Sequence, residues 1–241
     1  LPFWSSQVKT VKRADLPDGT PYPQFDGRPL LFLAQIRLAD AMGLVGADAL
    51  PADGLLLFFY DQDQPWWYSP EDSDRFRVML VDDFGLRGVA PPGNVARLPS
   101  CKLSLAQKTT IPDILSMEVE ELVLSNVESD DYVEMSEAYA KRFPGPEHQM
   151  LGHPVLVQGD MRLEVALVAA GYDCGDGSAF QSEAAQELVH EVTAWKLLLQ
   201  LDSDDDAGMM WGDAGLLYFW IHEDDLAQRD FTRVRVVLQC T

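Results

Sequence analysis

Basic residues are scarce in this chain. Only 18 of its 241 residues are Lys or Arg, against 39 Asp or Glu, and the formal net charge is −21. Phosphates repel such a surface, so neither nucleic acid nor an anionic membrane is an expected partner. Cysteine is scarce too. Cys101, Cys174 and Cys240 stand far apart with no CxxC pair. That argues against a disulfide framework or zinc knuckle and for reduced thiols. No apolar run approaches the roughly 20 residues that a membrane-spanning helix needs. The run from Leu55 to Tyr60 is strand-sized. The opening Leu1-Pro2-Phe3-Trp4 has neither a basic region nor a long apolar one, and no initiator Met. A trimmed cytoplasmic chain is the expectation. GxSxG, P-loop and dinucleotide fingerprints are all missing, which counts against serine hydrolases and nucleotide enzymes.

What is present is a large apolar fraction. Hydrophobic residues make up 47%, far more than an acidic disordered tail would hold. A chain of this length buries roughly 70–75% of the surface that its unfolded form exposes. It therefore needs no metal or disulfide to hold a core. The charge is uneven. Residues 1–100 hold 13 acids and 9 bases, residues 101–200 hold 17 and 6, and residues 201–241 hold 9 and 3. The excess acid belongs to the middle and the end.

Three apolar segments recur in order. Leu31-Phe32-Leu33-Ala34-Gln35-Ile36, Gly54 to Tyr60 and Phe76 to Leu80 match Leu197 to Leu201, Gly215 to Ile221 and Val234 to Leu238. Gln35 aligns with Gln200, Gly54 with Gly215 and Arg77 with Arg235. Ordered self-similarity points to repeated supersecondary units. Each segment is short, bounded by Gly, Pro or Asp, and reads as a strand. The continuous apolar ones read as strands covered on both faces. Between the halves, about 25–90 and 190–241, lies a helical insert near 112–145. There Ile114–Val127 and Tyr132–Phe143 show helical spacing, with Asp130 and Asp131 as caps for the second. A third helix follows Ser182, and Met161–Ala170 fits either helix or strand. The expectation is one α+β domain, internally duplicated, with antiparallel β-sheets and inserted helices.

Several runs carry a family resemblance. They are Phe32-Leu33-Ala34-Gln35-Ile36, His148 to Pro154 with Gln158-Gly159-Asp160-Met161, and above all Trp195 to Asp204, Met209 to Asp213 and Gly215 to Ile221. Together they resemble the bacterial YwqG-like family across nearly the whole chain. The resemblance implies a duplicated α+β fold, no established activity and no catalytic residues to carry over. It also hints at an immunity role, because some members are thought to lie near toxin genes. His153 stands where a Tyr is more usual.

Asp202, Asp204, Asp206 and Asp213 occupy positions 1, 3, 5 and 12 of a calcium-loop window. Ala207 replaces the turn glycine, Asp213 is shorter than the usual Glu, and the flanks read as strands. The alternative is a solvated acidic turn. His148, His153 and Asp160, with Glu164 nearby, form a weak polar cluster without HExxH spacing. They suit a metal or acid–base site, or turn capping. Trp66 and Trp67 beside Pro65, together with Asp205 and Trp211, are candidate partner contacts. Local packing is the competing reading of the aromatics. No cofactor is expected unless calcium fills the aspartate loop. The leading functional expectation is a non-enzymatic module for a basic protein, of immunity type. The runner-up is a metal-dependent enzyme or calcium-stabilised domain, and a small-molecule binder is third.

Overall fold

Two antiparallel three-stranded meanders form the centre of the molecule. The structure is a computed structural model that describes residues 2–7, 13–65, 69–93 and 96–241. Its strands are β1 (Pro2–Gln7), β2 (Ala14–Pro17), β3 (Gln24–Phe25), β4 (Arg28–Pro29), β5 (Leu31–Arg37) and β6 (Leu55–Tyr60), then β7 (Phe76–Val81), β8 (Leu86–Val89), β9 (Lys102–Gln107), β10 (Trp195–Asp202), β11 (Leu216–His222) and β12 (Arg235–Gln239). The α-helices are α1 (Met117–Glu120), α2 (Asn126–Ala140), α3 (Arg162–Ala169), α4 (Glu183–Leu188) and α5 (Glu223–Ala227). Helices and antiparallel sheets together make the fold α+β. One meander is β5-β6-β7 and the other β10-β11-β12. Two-stranded pairs β1-β9, β2-β8 and β3-β4 flank them. Among the described residues, no helix is long and apolar enough to cross a membrane.

The two meanders correspond in detail. Each first strand carries a register shift, between Phe32 and Ala34 in one and between Leu197 and Leu199 in the other. Phe58 pairs with Val78, and Phe219 pairs with Val236. The Leu38 amide donates to the Gly54 carbonyl at 3.0 Å, and the Ser203 amide to the Gly215 carbonyl at 3.2 Å. Both glycines open central strands at a close approach. A Cβ on Gly215 would fall on the Gln239 carbonyl oxygen, and one on Gly54, at φ +100°, would meet the Leu80 side chain at 2.9 Å.

The sheets face each other through alternate residues of their central strands. Leu56, Phe58 and Tyr60 share one cluster with Leu217, Phe219 and Ile221. At its centre the Phe58 and Phe219 rings meet edge-to-face, centroids 5.1 Å apart. The opposite face of β6 packs Leu55, Leu57 and Phe59 on Ala14, Leu16, Tyr22 and Leu30. The opposite face of β11 packs Leu216, Tyr218 and Trp220 on Met161, Val165 and Ala166 from the start of α3. Both central strands are thus buried on two faces, which is why they read as continuous apolar runs rather than alternating ones.

Two buried glutamines hold the 147–159 loop to the second sheet. Gln200 Oε1 accepts from the Val155 amide, and its Nε2 donates to the Glu147 carbonyl. Gln239 Oε1 accepts from the Val157 and Gln158 amides, and its Nε2 donates to the Gly159 carbonyl. A primary amide offers both a donor and an acceptor, so each glutamine satisfies loop groups that burial would otherwise orphan.

The helical insert differs from its reading in sequence. The stretch expected as one helix over Ile114–Val127 instead holds the single turn α1, a link, and the first two residues of α2. The second helix begins at Asn126, earlier than expected, and Asp130 and Asp131 lie inside it. The reason is a capping box: the Glu128 amide donates to Ser125 Oγ while Glu128 Oε2 accepts from the Ser125 amide. Val123, in the link, sits at φ +51°, an unusual place for a β-branched residue. Ser182 caps α4 through the Ala185 amide, as expected. Met161–Ala170 resolves as the helix α3.

Candidate functional site

The aspartate loop is organised by its own backbone. Asp204 and Met209 exchange two backbone hydrogen bonds of 2.9 Å. Asp204 Oδ1 accepts from the amides of Asp206 and Ala207, and Oδ2 accepts from His148 Nε2 at 3.1 Å. The other ring nitrogen, Nδ1, accepts from the Asp202 amide at 3.0 Å. An accepting Nδ1 carries no proton, so His148 is assigned the neutral Nε2–H form, with both nitrogens engaged. Burial pushes the Asp204 carboxyl up, but the hydrogen bonds from His148, Ala207 and Asp206 outweigh it and hold its pKa below the usual range. Asp202 spends Oδ2 on the Glu147 amide. Asp205, Asp206 and Asp213 are exposed. Among the described residues, no three His, Cys, Asp or Glu side chains are grouped to hold a metal ion.

Trp211 is a core residue rather than a surface anchor. It is 1% exposed, its Nε1 donates to the Asp202 carbonyl, and its ring meets Tyr60 edge-to-face at 6.2 Å. Gln64 ties this loop to the first half, donating to the Met210 carbonyl and accepting from the Gly212 amide. Trp66 and Trp67 lie outside the described residues.

The polar cluster divides between two clefts. His148 and Asp204 line one of about 720 Å³, between β5 and the segment that leads into β9. His153 and Asp160 line another of about 850 Å³, on the far side of β10 and β11. In this second cleft a buried guanidinium replaces the expected histidine pair as the organising group. Arg162 donates from Nη1 and Nη2 to both Glu118 oxygens at 2.6 Å, and from Nε to both Asp160 oxygens at 3.0 and 3.1 Å. Asp160 Oδ2 also accepts from the Met117 amide. The bidentate pairing with Arg162 draws Glu118 below the usual carboxylate range. Burial pushes Asp160 up, yet its bonds from Arg162 carry it down overall. Burial lowers the His153 imidazole, which therefore stays neutral near pH 7. Trp195 and Trp220 form an aromatic wall, and Ser116, Lys196 and Glu223 add polar groups.

A different surface is formed by the helical insert. No residue of α2 is buried. Its partly covered stripe is Ser129, Tyr132, Ser136 and Tyr139. Tyr132 Oη donates to the Pro112 carbonyl and Tyr139 Oη to the Thr109 carbonyl. Polar anchors therefore hold the helix with little apolar burial. Residues 117–140 contain eight Asp or Glu and no Lys or Arg. Among them stand Leu122 (60% exposed), Val123 (86%), Val127 (69%) and Met135 (50%).

A family model described as a domain of unknown function, DUF1963, matches residues 12–240. The chain belongs to that family. No curated protein matches it. The DUF1963 description names no activity, so the roles of these residues rest on their geometry. Arg162, Glu118, Ser116, Trp195 and Trp220 were not among the residues singled out from sequence. A signal existed for the first: Arg162 is the one Lys or Arg between Arg142 and Lys196. A lone cation in so acidic a stretch is expected to be paired.

Proposed function

We propose that this DUF1963 protein is a non-enzymatic interaction module that docks a basic protein through the 117–140 insert. The observation that carries the reading is α2, a fifteen-residue helix with no buried residue and no Lys or Arg. A helix with no fully buried side chain gains little stability from its own fold. Exposed apolar side chains set among carboxylates match a partner with a basic rim and a small apolar centre. The acidic field speeds encounter with such a partner and repels anionic competitors. The YwqG-like resemblance adds the immunity form of this reading, in which the basic partner is a toxin.

The two meanders are further read as products of one internal duplication within a single domain. The matching order of their register shifts, paired strand partners and opening glycines supports this, as does the Phe58–Phe219 contact between corresponding positions.

Capture from lysate of the source cells at low and high salt tests the docking proposal, with the chain and an Asp130→Lys/Asp131→Lys/Glu134→Lys variant as paired baits. These three exposed acids do not take part in the capping box. The expected result is a basic protein retained by the parent chain at low salt and lost with the variant. The immunity form further expects that protein to be toxic on its own and harmless when coexpressed with this chain. Equal capture by both baits, or capture insensitive to salt, refutes the docking proposal.

A further inference from the structure

The cleft walled by Trp195 and Trp220 contains polar groups that the fold leaves unsatisfied. Trp220 is 2% exposed, and its Nε1 has no hydrogen-bond partner among the described residues. Ser116 is 4% exposed, and its Oγ likewise has none among the described residues. Both residues line this cleft. A buried indole N–H without an acceptor costs about 1–3 kcal/mol, and native structures seldom keep one without a reason. Two in a single cleft of about 850 Å³, a volume typical of small-ligand sites, point to an occupant.

The chemistry of that occupant follows from the lining. An indole N–H can only donate, so the ligand must bring an acceptor. Asp48, Asp113, Glu118, Asp160 and Glu223 face it, against Arg162 and Lys196. Arg162 is spent on Glu118 and Asp160, and Lys196 pairs with Glu223 at 3.1 Å. Asp48 is exposed and has no salt bridge among the described residues. The remaining field is negative and disfavours an anion. Indole rings and carboxylates in one lining suit an organic cation. We infer that this cleft binds a small organic cation that carries a hydrogen-bond acceptor, an amine or guanidine linked to an amide or hydroxyl oxygen. Trp220 Nε1 and Ser116 Oγ meet the acceptor, while Asp48 at the rim faces the charge. The site is separate from the exposed face of α2 and stands or falls without it.

L-argininamide is a suitable probe, because it joins a guanidinium and an ammonium to an amide oxygen. Calorimetric and tryptophan-fluorescence titrations of the whole chain are expected to show saturable binding in the range of about 0.1–1 mM. Ser116→Ala and Asp48→Asn are each expected to weaken it severalfold. Trp220→Phe, which keeps a ring and removes the N–H, is expected to weaken it about tenfold. Circular dichroism checks that each variant folds, and the two milder variants decide the matter if Trp220→Phe does not. Glutamate serves as the anionic control and is expected not to bind. Absence of argininamide binding up to about 10 mM, equal binding by glutamate, or unchanged affinity in Ser116→Ala and Asp48→Asn overturns the inference.

Discussion

Glu164 has one carboxyl oxygen buried without a partner among the described residues, and replacing the residue with Gln tests the physical reasoning used throughout. It lies on α3, and its Oε1 is buried with no hydrogen-bond partner among the described residues. Burial alone pushes its pKa up from 4.5 to about 8. The nearby Cys174 thiol is itself raised to about 11, by burial first and then by Glu164 and Asp173. The sign follows from linkage. A folded pKa above the unfolded one means that the native state prefers the protonated acid. The corresponding stability is complete below about pH 4.5 and is lost as pH rises toward about 8. Each pH unit in that window is worth about 1.4 kcal/mol, so the ceiling is roughly 4–5 kcal/mol. The residue keeps some contact with solvent, and water relaxation brings the expected loss to about 2 kcal/mol. Urea unfolding at pH 5 and pH 8.5 measures it. Repulsion within a chain of net charge −21 also grows with pH, but it is nearly common to both proteins. The difference between variant and parent therefore isolates Glu164. Glu164→Gln should be neutral or slightly destabilised at pH 5 and more stable than the parent by about 2 kcal/mol at pH 8.5. A difference that does not change with pH refutes the reasoning.

Other expectations follow from the same structure. Arg162→Met should destabilise the chain by about 3 kcal/mol in denaturant unfolding, because Asp160 and Glu118 then lose their cation. Most of that loss should vanish in acid: the lowered pKa values of both carboxyls make their stabilisation complete above the unfolded values and remove it as pH falls through the folded ones. Millimolar calcium should leave the melting temperature unchanged, since the Asp204 carboxylate is committed to His148 and two amides. Asp204→Ala should cost about 2–3 kcal/mol with or without calcium, because it strips the His148 ring and the turn of their partner. Ser125→Ala should cost about 1 kcal/mol, and hydrogen exchange should show faster opening confined to the first turns of α2.

The strands of both meanders were legible because burial on two faces leaves an unmistakable continuous apolar run, as in Leu55–Tyr60 and Leu216–Ile221. The pairs β1-β9 and β2-β8 were not. Lys102–Gln107 is exposed or half-buried along its length, and its alternation, Leu103 and Leu105 between polar neighbours, is too short to stand out. The early start of α2 was encoded at Ser125 and Glu128, three residues apart, but acids at 130 and 131 offered a competing cap. The aspartate spacing from 202 to 213 was legible as a turn. Its carboxylates separate because strand ends, not helices, frame the loop and Asp204 turns inward to His148. The Arg162 cleft brings together 116–118, 160–162, 195 and 220, positions that only the packing of α3 on β11 makes neighbours. No local pattern announces such a site.

The account rests most heavily on the acidic insert as a docking surface for a basic protein. The direct measurement is the association rate of the purified captured partner with the chain, followed from low to high ionic strength, for the parent and for Asp130→Lys/Asp131→Lys/Glu134→Lys. The account predicts a rate that falls steeply with salt for the parent, and at low salt a rate at least about tenfold slower for the variant. Equal rates and a shared, shallow salt dependence would contradict it.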